Sequence, residues 1–436
     1  MDATQNLINK NIDAVARDTP RWGQLYGAGL SLALAELSAA HRGLVTVITP
    51  DSHSTDLLEQ ECRFFLSQKA HQLHHLPDWE TLPYDLFSPH EDIISDRLHV
   101  LHQLGSLKRG LLILPIATLM QRLAPASFLM GRSFDLKIGD TLDLDAFRLQ
   151  LEAAGYNAVS QVISHGEYAL RGSLLDIFPM GNREPFRIDL FDDEIETIRS
   201  FDPETQLSQD KVDSFHLLPG HEFPLDDAGI KGFRKRYRER FEGDPQASRI
   251  YTSVSEGAPV GGIEYYLPLF FDQTATLFDY LPDNTLLCHF DSLKDDASEF
   301  FKDVSERYEQ RRHDTERPLL KPEEIYQTPE QLEQALQTSE LLELNTFKLE
   351  GGSASANFSC KALPDLSFKA RQESPAAALQ TYLSQHEGRV LFTADSTGRR
   401  EFMLEVLKPF DIIPKVVAKW HGLVHLYKHN VSTCYL

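Results

Sequence analysis

Residues 165–196 constrain the fold of this chain more than any other stretch, because they carry an almost continuous β pattern. Residues 168–178 are rich in Leu, Ile and Phe, and residues 186–191 alternate strictly between two sets of side chains. Between them, Pro, Met, Gly and Asn at 179–182 form a typical turn sequence, since Gly and Asn tolerate positive φ. The stretch therefore predicts two strands joined by a turn and continued by residues 196–200.

The alternation in residues 186–191 also predicts a functional surface. If Ile188 packs in the core, Arg187 and Phe191 share the opposite face, about 13–14 Å apart along the strand. With Arg171 expected on the partner strand, an exposed Arg beside an exposed aromatic residue is typical of a protein-binding hot spot. The alternative is a surface hairpin with one exposed Phe and ordinary surface arginines, because lone exposed apolar residues are common.

Composition narrows the class of protein. The chain has 436 residues, enough for two to four domains. It contains no run of about 18 apolar residues, so no membrane span is expected, and its polar N-terminus lacks the apolar core of a secretory signal. The formal net charge of −22 argues against a general nucleic-acid binder, although it allows a basic partner. The four cysteines, at positions 62, 288, 360 and 434, are widely separated, so they predict neither a disulfide framework nor a zinc site. This use of cysteine is consistent with a cytoplasmic protein.

A glycine-rich loop near the N-terminus decides what nucleotide chemistry the chain can perform. Gly27 and Gly29 precede a helical pattern and then a buried strand at 44–48, the order that opens a nucleotide-binding α/β domain. A phosphate-binding loop needs a Lys followed by Ser or Thr, but here Leu30 stands at the Lys position before Ser31. Two interpretations stay open, a weak nucleotide site and a P-loop-type fold that has lost its nucleotide. The missing cation favours the second.

Apolar strands alternate with helical patterns along much of the chain, which predicts an α/β fold with a parallel sheet covered by helices on both faces. Around Gly131 the pattern changes to an α+β module that interrupts this domain. Gly, Ser and Ala at 351–355 predict a boundary before a third, small α/β unit. The predicted segments are a leader at 1–20, a first domain segment at 21–131, the inserted module at 132–218, the returning segment at 219–345, a linker at 346–355 and an incomplete α/β unit at 356–436.

The same patterns predict individual elements. Helices are expected at 91–104, 117–123, 144–154, 298–313, 376–384 and 397–407. Strands are expected at 110–114, 134–138, 156–162, 286–290 and 389–393.

Three histidines, His71, His74 and His75, suggest a metal site, because His ligates transition metals. No Cys and no ordered carboxylate motif stands beside them in the sequence. Ordinary surface histidines are therefore the favoured interpretation, and no metal is expected.

Residues 231–241 are rich in Lys and Arg. Aromatic residues recur at every fourth position, which gives the predicted helix one apolar face. Arg234, Lys235 and Arg238 lie elsewhere on the helix and are candidate DNA-backbone contacts. A Lys- and Arg-rich segment of this kind more commonly forms a solvent-exposed helix face.

Residues 192–194, Asp-Asp-Glu after an apolar strand, are similar to the acidic box that holds Mg²⁺ in ATP-dependent enzymes. That box works together with a P-loop Lys, which the chain lacks. Solvated acids in a turn are the favoured interpretation, and no catalytic residue is expected.

Several long motifs resemble one known family. Residues 166–181 (GEYALRGSLLDIFPMG) and 185–202 (PFRIDLFDDEIETIRSFD) resemble the UvrA-binding domain shared by the excision-repair subunit UvrB and the bacterial transcription-repair coupling factors. Residues 76–98 (LPDWETLPYDLFSPHEDIISDRL) and three further stretches are similar to the coupling factors in particular: ILPIATLMQRL at 113–123, GIEYYLPLFF at 262–271 and LPDLSFKARQESP at 363–375. The resemblance covers roughly residues 20–415, and after about Pro414 the sequence departs from the family.

The resemblance implies a UvrB-like, P-loop-type parallel-sheet domain that is degenerate and split in two segments, with an inserted α+β UvrA-binding domain and then a small α/β domain. It implies that UvrA is the partner and that Arg171, Arg187 and Phe191 contact it. Members of the family release RNA polymerase stalled at DNA lesions with an ATP- and Mg²⁺-dependent motor, which is expected to lie downstream of these residues, as is the polymerase-binding module. The chain is therefore expected to be an adaptor without cofactors, with at most weak DNA binding. The competing class is an ATP-dependent enzyme that acts on DNA through residues 27–31 and 192–194.

Overall fold

The computed structural model of the chain gives its architecture for residues 12, 16, 18–66, 73–258, 260–350, 354–369, 374–386, 388, 390–394, 396–416 and 434–435. The strands are β1 (Arg21–Gly23), β2 (Leu44–Thr49), β3 (Leu73–His75), β4 (Gly110–Pro115), β5 (Phe134–Lys137), β6 (Asn157–Ala158), β7 (Glu167–Arg171), β8 (Leu174–Ile177), β9 (Phe186–Phe191), β10 (Glu194–Phe201), β11 (Ser208–Val212), β12 (Ser214–Leu217), β13 (Leu286–Phe290), β14 (Glu340–Leu344), β15 (Ser355–Asn357), β16 (Val390–Leu391) and β17 (Cys434–Tyr435). The α-helices are α1 (Gly29–Ala40), α2 (Ser52–Phe65), α3 (Glu91–Leu104), α4 (Ile116–Met120), α5 (Ala126–Gly131), α6 (Leu144–Ala153), α7 (Asp227–Arg240), α8 (Arg249–Ser255), α9 (Leu293–Arg311), α10 (Pro322–Ile325), α11 (Pro329–Leu336), α12 (Ala377–Gln385) and α13 (Thr397–Leu407).

The chain divides into two compact units. The larger comprises His41–Glu59 and Gln72–Glu343, and the smaller comprises the described residues of Met1–Ala40, Gln60–His71 and Leu344–Leu436. None of the helices in the described part of the chain is long and apolar enough to cross a membrane.

A parallel sheet forms one half of the larger unit, in the order β13-β2-β4-β3. Every residue of β2 and β4 is buried, which is the reason these strands read as continuous apolar runs in the sequence. The predicted mixed α/β fold with a parallel sheet is confirmed. Helices α3 and α13 and strand β13 have the predicted bounds, whereas α9 begins five residues before its predicted start.

The other half of the larger unit is a six-stranded sheet in the order β11-β10-β9-β8-β7-β6. Its inner face packs in the same hydrophobic cluster as the parallel-sheet half, with Ile188 and Ile195 fully buried. Helix α6 contributes the buried Phe147 and Leu151 to that cluster. The outer face of this sheet carries two of the predicted contact residues, Arg187 and Phe191.

Two strand predictions in this sheet are wrong. The strand predicted at 168–178 is two strands, β7 and β8, because Gly172 adopts a left-handed φ of 65° and the chain reverses there. Arg171 therefore lies on β7 and not on the strand that pairs with β9. The strand predicted at 156–162 is only Asn157–Ala158, since these two residues alone pair with β7.

The histidine prediction also needs correction. His74 is buried in β3 and not at the surface, and this burial lowers its pKa to about 4. His75, at the end of the same strand, is half-buried, and His71 lies outside the described residues.

The smaller unit contains β1, α1 and the described C-terminal elements. Strand β1 pairs in parallel with β15, and the buried Trp22 meets Phe358 edge-on at 4.9 Å between ring centroids. Helices α12 and α13 pack through Leu379 and Leu407. The predicted leader at 1–20 and the segment after 414 lie largely outside the described residues, as do residues 351–353 of the predicted linker at 346–355.

Candidate functional site

The side chain of Arg187 is held at the outer face of the six-stranded sheet by Asp176, which is 1% exposed. Its Nε and one terminal nitrogen donate to the two carboxylate oxygens of Asp176 at 2.7 and 2.9 Å. The other terminal nitrogen donates to Gln206 O and Ser208 Oγ, both at 3.2 Å, and the guanidinium lies 4.9 Å over the ring of Phe201. Hydrogen bonding to Asp176 raises the pKa of Arg187. Four of the five N–H groups of this side chain therefore have an acceptor within the protein.

Arg171 approaches the same carboxylate from the other side. One terminal nitrogen stands 3.8 Å from Asp176 Oδ2, and the other donates to Ser160 O at 2.5 Å. The side chain is 48% exposed, against 18% for Arg187. The structure thus brings Arg171 and Arg187 together around one buried carboxylate, although their strands are not neighbours.

Phe191 ends β9 on the face that the alternation predicted. Its side chain is 70% exposed, whereas Phe186, Ile188 and Leu190 are buried. The next residue, Asp192, takes a positive φ of 54° in the turn to β10. An aromatic ring with this exposure is available to a partner.

Arg199 and Lys211 belong to the same face and were missed by sequence reasoning. Directly paired residues put their side chains on one face of a sheet, and Asp176, Arg187, Arg199 and Lys211 pair in succession across β8, β9, β10 and β11. The Nε of Arg199 is shielded from solvent and has no hydrogen-bond partner among the described residues. Arg187, Arg199 and Lys211 therefore form a row of three cations on the outer face, next to the carboxylate of Asp176, and we call these three residues the basic row.

The glycine-rich loop leads into α1, as its pattern predicted. Gly27 has a φ of 52°, and Ser31 is fully buried in the helix. The Ser31 hydroxyl donates to the carboxylate of Glu61. A Cβ at Gly29 would come within 2.5 Å of Cys360 Sγ. The Ser31 hydroxyl is thus used inside the protein.

Residues 192–194 occupy the turn between β9 and β10 and the first residue of β10, and all three are exposed. The backbone carbonyl of Asp193 accepts a hydrogen bond from Leu142 N at 2.7 Å. Their position in a hairpin turn agrees with the interpretation of solvated acids.

Helix α7 carries the predicted apolar face, since Phe233 and Tyr237 are buried. Arg234 and Arg238 each place their guanidinium 5.8 Å from the ring of Tyr251. Lys235 is exposed and pairs with Glu239 at 3.9 Å. The three candidate DNA contacts are therefore partly engaged with their own helix and its neighbour.

Comparison with known proteins identifies the relatives of this chain. The family of the UvrB interaction domain matches residues 134–223, and the family of the D3 domain of MFD matches residues 382–432. The transcription-repair-coupling factor of Haemophilus influenzae is 44% identical over 390 residues, which is 89% of this chain and 34% of that protein. The transcription-repair-coupling factor of Escherichia coli is 44% identical over 91% of this chain and 34% of its own length. That of Myxococcus xanthus is 32% identical over 59% of this chain and 22% of its own length. The chain is related to the N-terminal region of the transcription-repair coupling factors. It spans about one third of the length of the first two of these relatives.

Within this relationship, the UvrB interaction match contains all of the basic row and Phe191. Asp176, which organises the two arginines, lies in the same match. The match ends before α7, so it does not include the candidate DNA contacts.

A separate cavity of about 410 Å³ opens where β2 and β4 end. In open α/β sheets this edge is where ligands bind. Among the described residues, five carboxylates line the cavity and no Lys, Arg or His does. The carboxylates are those of Asp51, Asp78, Asp296, Glu299 and Asp303. A cavity with this lining repels the phosphates of a nucleotide.

Proposed function

We propose that this chain is an adaptor in transcription-coupled nucleotide excision repair and that it recruits UvrA through the outer face of its six-stranded sheet. The observation that carries the proposal is the exposed ring of Phe191 on the face where Arg171 and Arg187 converge on Asp176. This face lies within the match to the UvrB interaction domain, and the chain is similar over nine tenths of its length to transcription-repair-coupling factors.

The chemistry of the face suits a protein partner with an acidic rim. Guanidinium groups present planar sets of donors that fit carboxylates, and Phe191 adds an apolar anchor. A net charge of −22 on the whole chain makes a localised cationic face more selective, because the remaining surface repels an acidic partner.

The direct test is a titration of purified UvrA with the full chain in the absence of nucleotide and DNA. We expect one-to-one binding that UvrB competes for, because both proteins would present the same kind of domain to UvrA. Binding that persists unchanged under an excess of UvrB would contradict the shared surface.

We further propose that the split parallel-sheet domain, residues 21–131 and 219–345, is a P-loop-type fold that binds no nucleotide, and that the chain is not an enzyme. Leu30 at the Lys position and the burial of Ser31 support this, as does the acidic lining of the cavity. The alternative, an ATP-dependent enzyme acting through residues 27–31 and 192–194, is not favoured, because Ser31 is used internally and the acids lie in an exposed turn.

The remaining activities are proposed for the whole coupling factor and not for these residues. They are ATP- and Mg²⁺-driven movement on DNA and release of RNA polymerase in the cytoplasm. Any DNA contact of this chain is proposed to be weak and to run through Arg234, Lys235 and Arg238. A salt-dependent duplex titration, repeated with Lys235→Ala, tests that contact, since loss of one phosphate contact lowers the salt slope by about 1.

A further inference from the structure

Helix α2 and strand β3 bring three metal-ligating side chains together on the larger unit. Asp56 and Glu59 are three residues apart on α2, so they lie on one face of the helix. His75 ends β3 beside that face. One ligand atom from each of the three residues lies within 4.8 Å of the other two.

The separations suit a metal ion. His75 Nδ1 is 3.1 Å from Glu59 Oε2 and 3.9 Å from Asp56 Oδ1. Two ligands bound to one tetrahedral ion at the usual Zn–N and Zn–O lengths lie about 3.4 Å apart. Small rotations of the two acidic side chains would therefore place all three atoms on one ion, with further positions left for water.

The electrostatics favour a cation at this point. Asp56 has no ion pair other than with His75 within the described ranges. Glu59 and His75 are largely shielded, at 18% and 21% exposure, so their interaction is screened less than that of fully exposed groups. Asp56 and Glu59 each supply a carboxylate, and an imidazole ligates a metal in its neutral form, so the three side chains together attract a divalent ion.

We propose that Asp56, Glu59 and His75 form a binding site for a divalent transition-metal ion such as Zn²⁺. An imidazole ligand selects such ions over Mg²⁺, which prefers oxygen ligands and retains its waters. The ion links α2 to the strand that follows it. The sequence pattern singled out His75 but not Asp56 and Glu59, because the two carboxylates lie on a helix earlier in the chain. This inference is independent of the proposed UvrA recruitment.

The test uses the full chain, stripped of metal by a chelator, and the metal ions alone as probes. Zn²⁺ is titrated by calorimetry and Co²⁺ by its visible absorption. The matched control is His53→Ala, which removes an exposed histidine from the same helix. The chain has 17 histidines, so a comparison of variants decides the location of the site.

We expect one saturable site that His75→Ala and Glu59→Gln each weaken by more than about tenfold, since loss of even an outer-shell partner costs about 10–100-fold. His53→Ala should leave the affinity unchanged, and excess Mg²⁺ should not compete. Far-ultraviolet circular dichroism checks that both ligand variants fold, and Glu59→Gln keeps the side-chain shape where His75→Ala does not. The absence of saturable binding, or equal affinities for the parent and both ligand variants, would overturn the site.

Discussion

Asp176 on β8 and Arg187 on β9 form a two-point hydrogen-bonded ion pair, 2.7 and 2.9 Å between their donor and acceptor atoms, at the centre of the proposed binding face. The carboxylate is buried and the guanidinium is largely covered. Arg187 therefore has two roles, because it neutralises a buried charge and also shapes the surface that UvrA would meet. Variants at this position will report on both roles together.

Removing Arg187 should destabilise the chain. Arg187→Ala leaves Asp176 without its main partner, and breaking a buried pair typically costs about 3–5 kcal/mol. We expect a smaller loss in the free energy of unfolding, about 2–3 kcal/mol, because Arg171 remains near the carboxylate and Arg187 is partly exposed. Urea denaturation of the parent and the variant measures the difference.

A double-variant cycle separates the ion pair from general packing. Asp176→Asn on the Arg187→Ala background should recover part of the lost stability, because the uncompensated charge is gone. Strictly additive effects of the two substitutions would show that the pair is not coupled.

Phe191 offers a cleaner test of binding. Phe191→Ala should weaken UvrA binding at least about 30-fold, the effect of a hot-spot truncation of about 2 kcal/mol. Stability should change by less than about 0.5 kcal/mol, since the ring is exposed. The matched control is Phe87→Ala, because Phe87 is 73% exposed on a loop outside the six-stranded sheet. If the two variants bind UvrA equally well, Phe191 is not an anchor.

The outcome for Phe191 shows what the sequence could predict. The two-residue period of β9 is local, so it correctly assigned Ile188 to the core and Phe191 to the surface. The position of Arg199 depends on how β10 pairs with its two neighbours. The pairing register of β10 shifts once against β9 and once against β11. Such shifts leave no regular period in the sequence, and the basic row was therefore missed.

Asp176 was missed for a different reason. It lies within the apolar run of β8, where nothing in the sequence says whether a carboxylate is buried or solvated. Its partner Arg187 comes from the next strand, so the pair exists only once the hairpin has formed. Burial of a charge depends on tertiary structure, and a single sequence does not report it.

The chain should neither hydrolyse nor measurably bind ATP at millimolar concentration, because a hydrophobic residue replaces the phosphate-binding Lys. Ser31→Ala should instead lower the free energy of unfolding by about 1–2 kcal/mol, since Glu61 loses its hydrogen-bond donor. Ser38→Ala is the control, as Ser38 is also buried in α1 but its hydroxyl donates within its own helix, to Ala35 O. ATPase activity that disappears with Ser31→Ala would contradict the adaptor function.

Glu264 should make stability depend on pH. Burial raises the pKa of its carboxyl to about 7, although Ser88 Oγ donates to it at 2.9 Å. A carboxyl whose pKa is higher in the folded state binds more protons there than in the unfolded chain. Its contribution to stability is therefore complete below its unfolded pKa, near 4.5, and is lost as the pH rises to 7.

Glu264→Gln isolates this effect from the other titrating groups. Between pH 5 and 8, the parent should lose about 2–3 kcal/mol of unfolding free energy relative to the variant, at about 1.36 kcal/mol per pKa unit. Desolvation lowers the pKa of the half-buried His221 to about 4, so this residue acts in the opposite sense below its unfolded pKa of 6.5. Because His221 is present in both proteins, its effect cancels in the comparison. Parallel pH profiles for the two proteins would show that Glu264 does not titrate in this range.

Arg199, the middle residue of the basic row, should contribute to UvrA binding without supporting the fold. Arg199 faces Arg187 on one neighbouring strand and Lys211 on the other, and like charges placed directly opposite each other destabilise a sheet. Arg199→Gln should therefore leave the free energy of unfolding unchanged or raise it by a few tenths of a kcal/mol. The same variant should weaken UvrA binding by about three- to tenfold and reduce its sensitivity to salt, because one attractive charge is lost.

Lys235→Gln is the control for net charge, since Lys235 is an exposed cation on α7 outside the match to the UvrB interaction domain. Equal UvrA affinities for the two variants would place Arg199 outside the contact surface, whereas a stability loss of more than about 1 kcal/mol in Arg199→Gln would mean that the residue serves the fold instead.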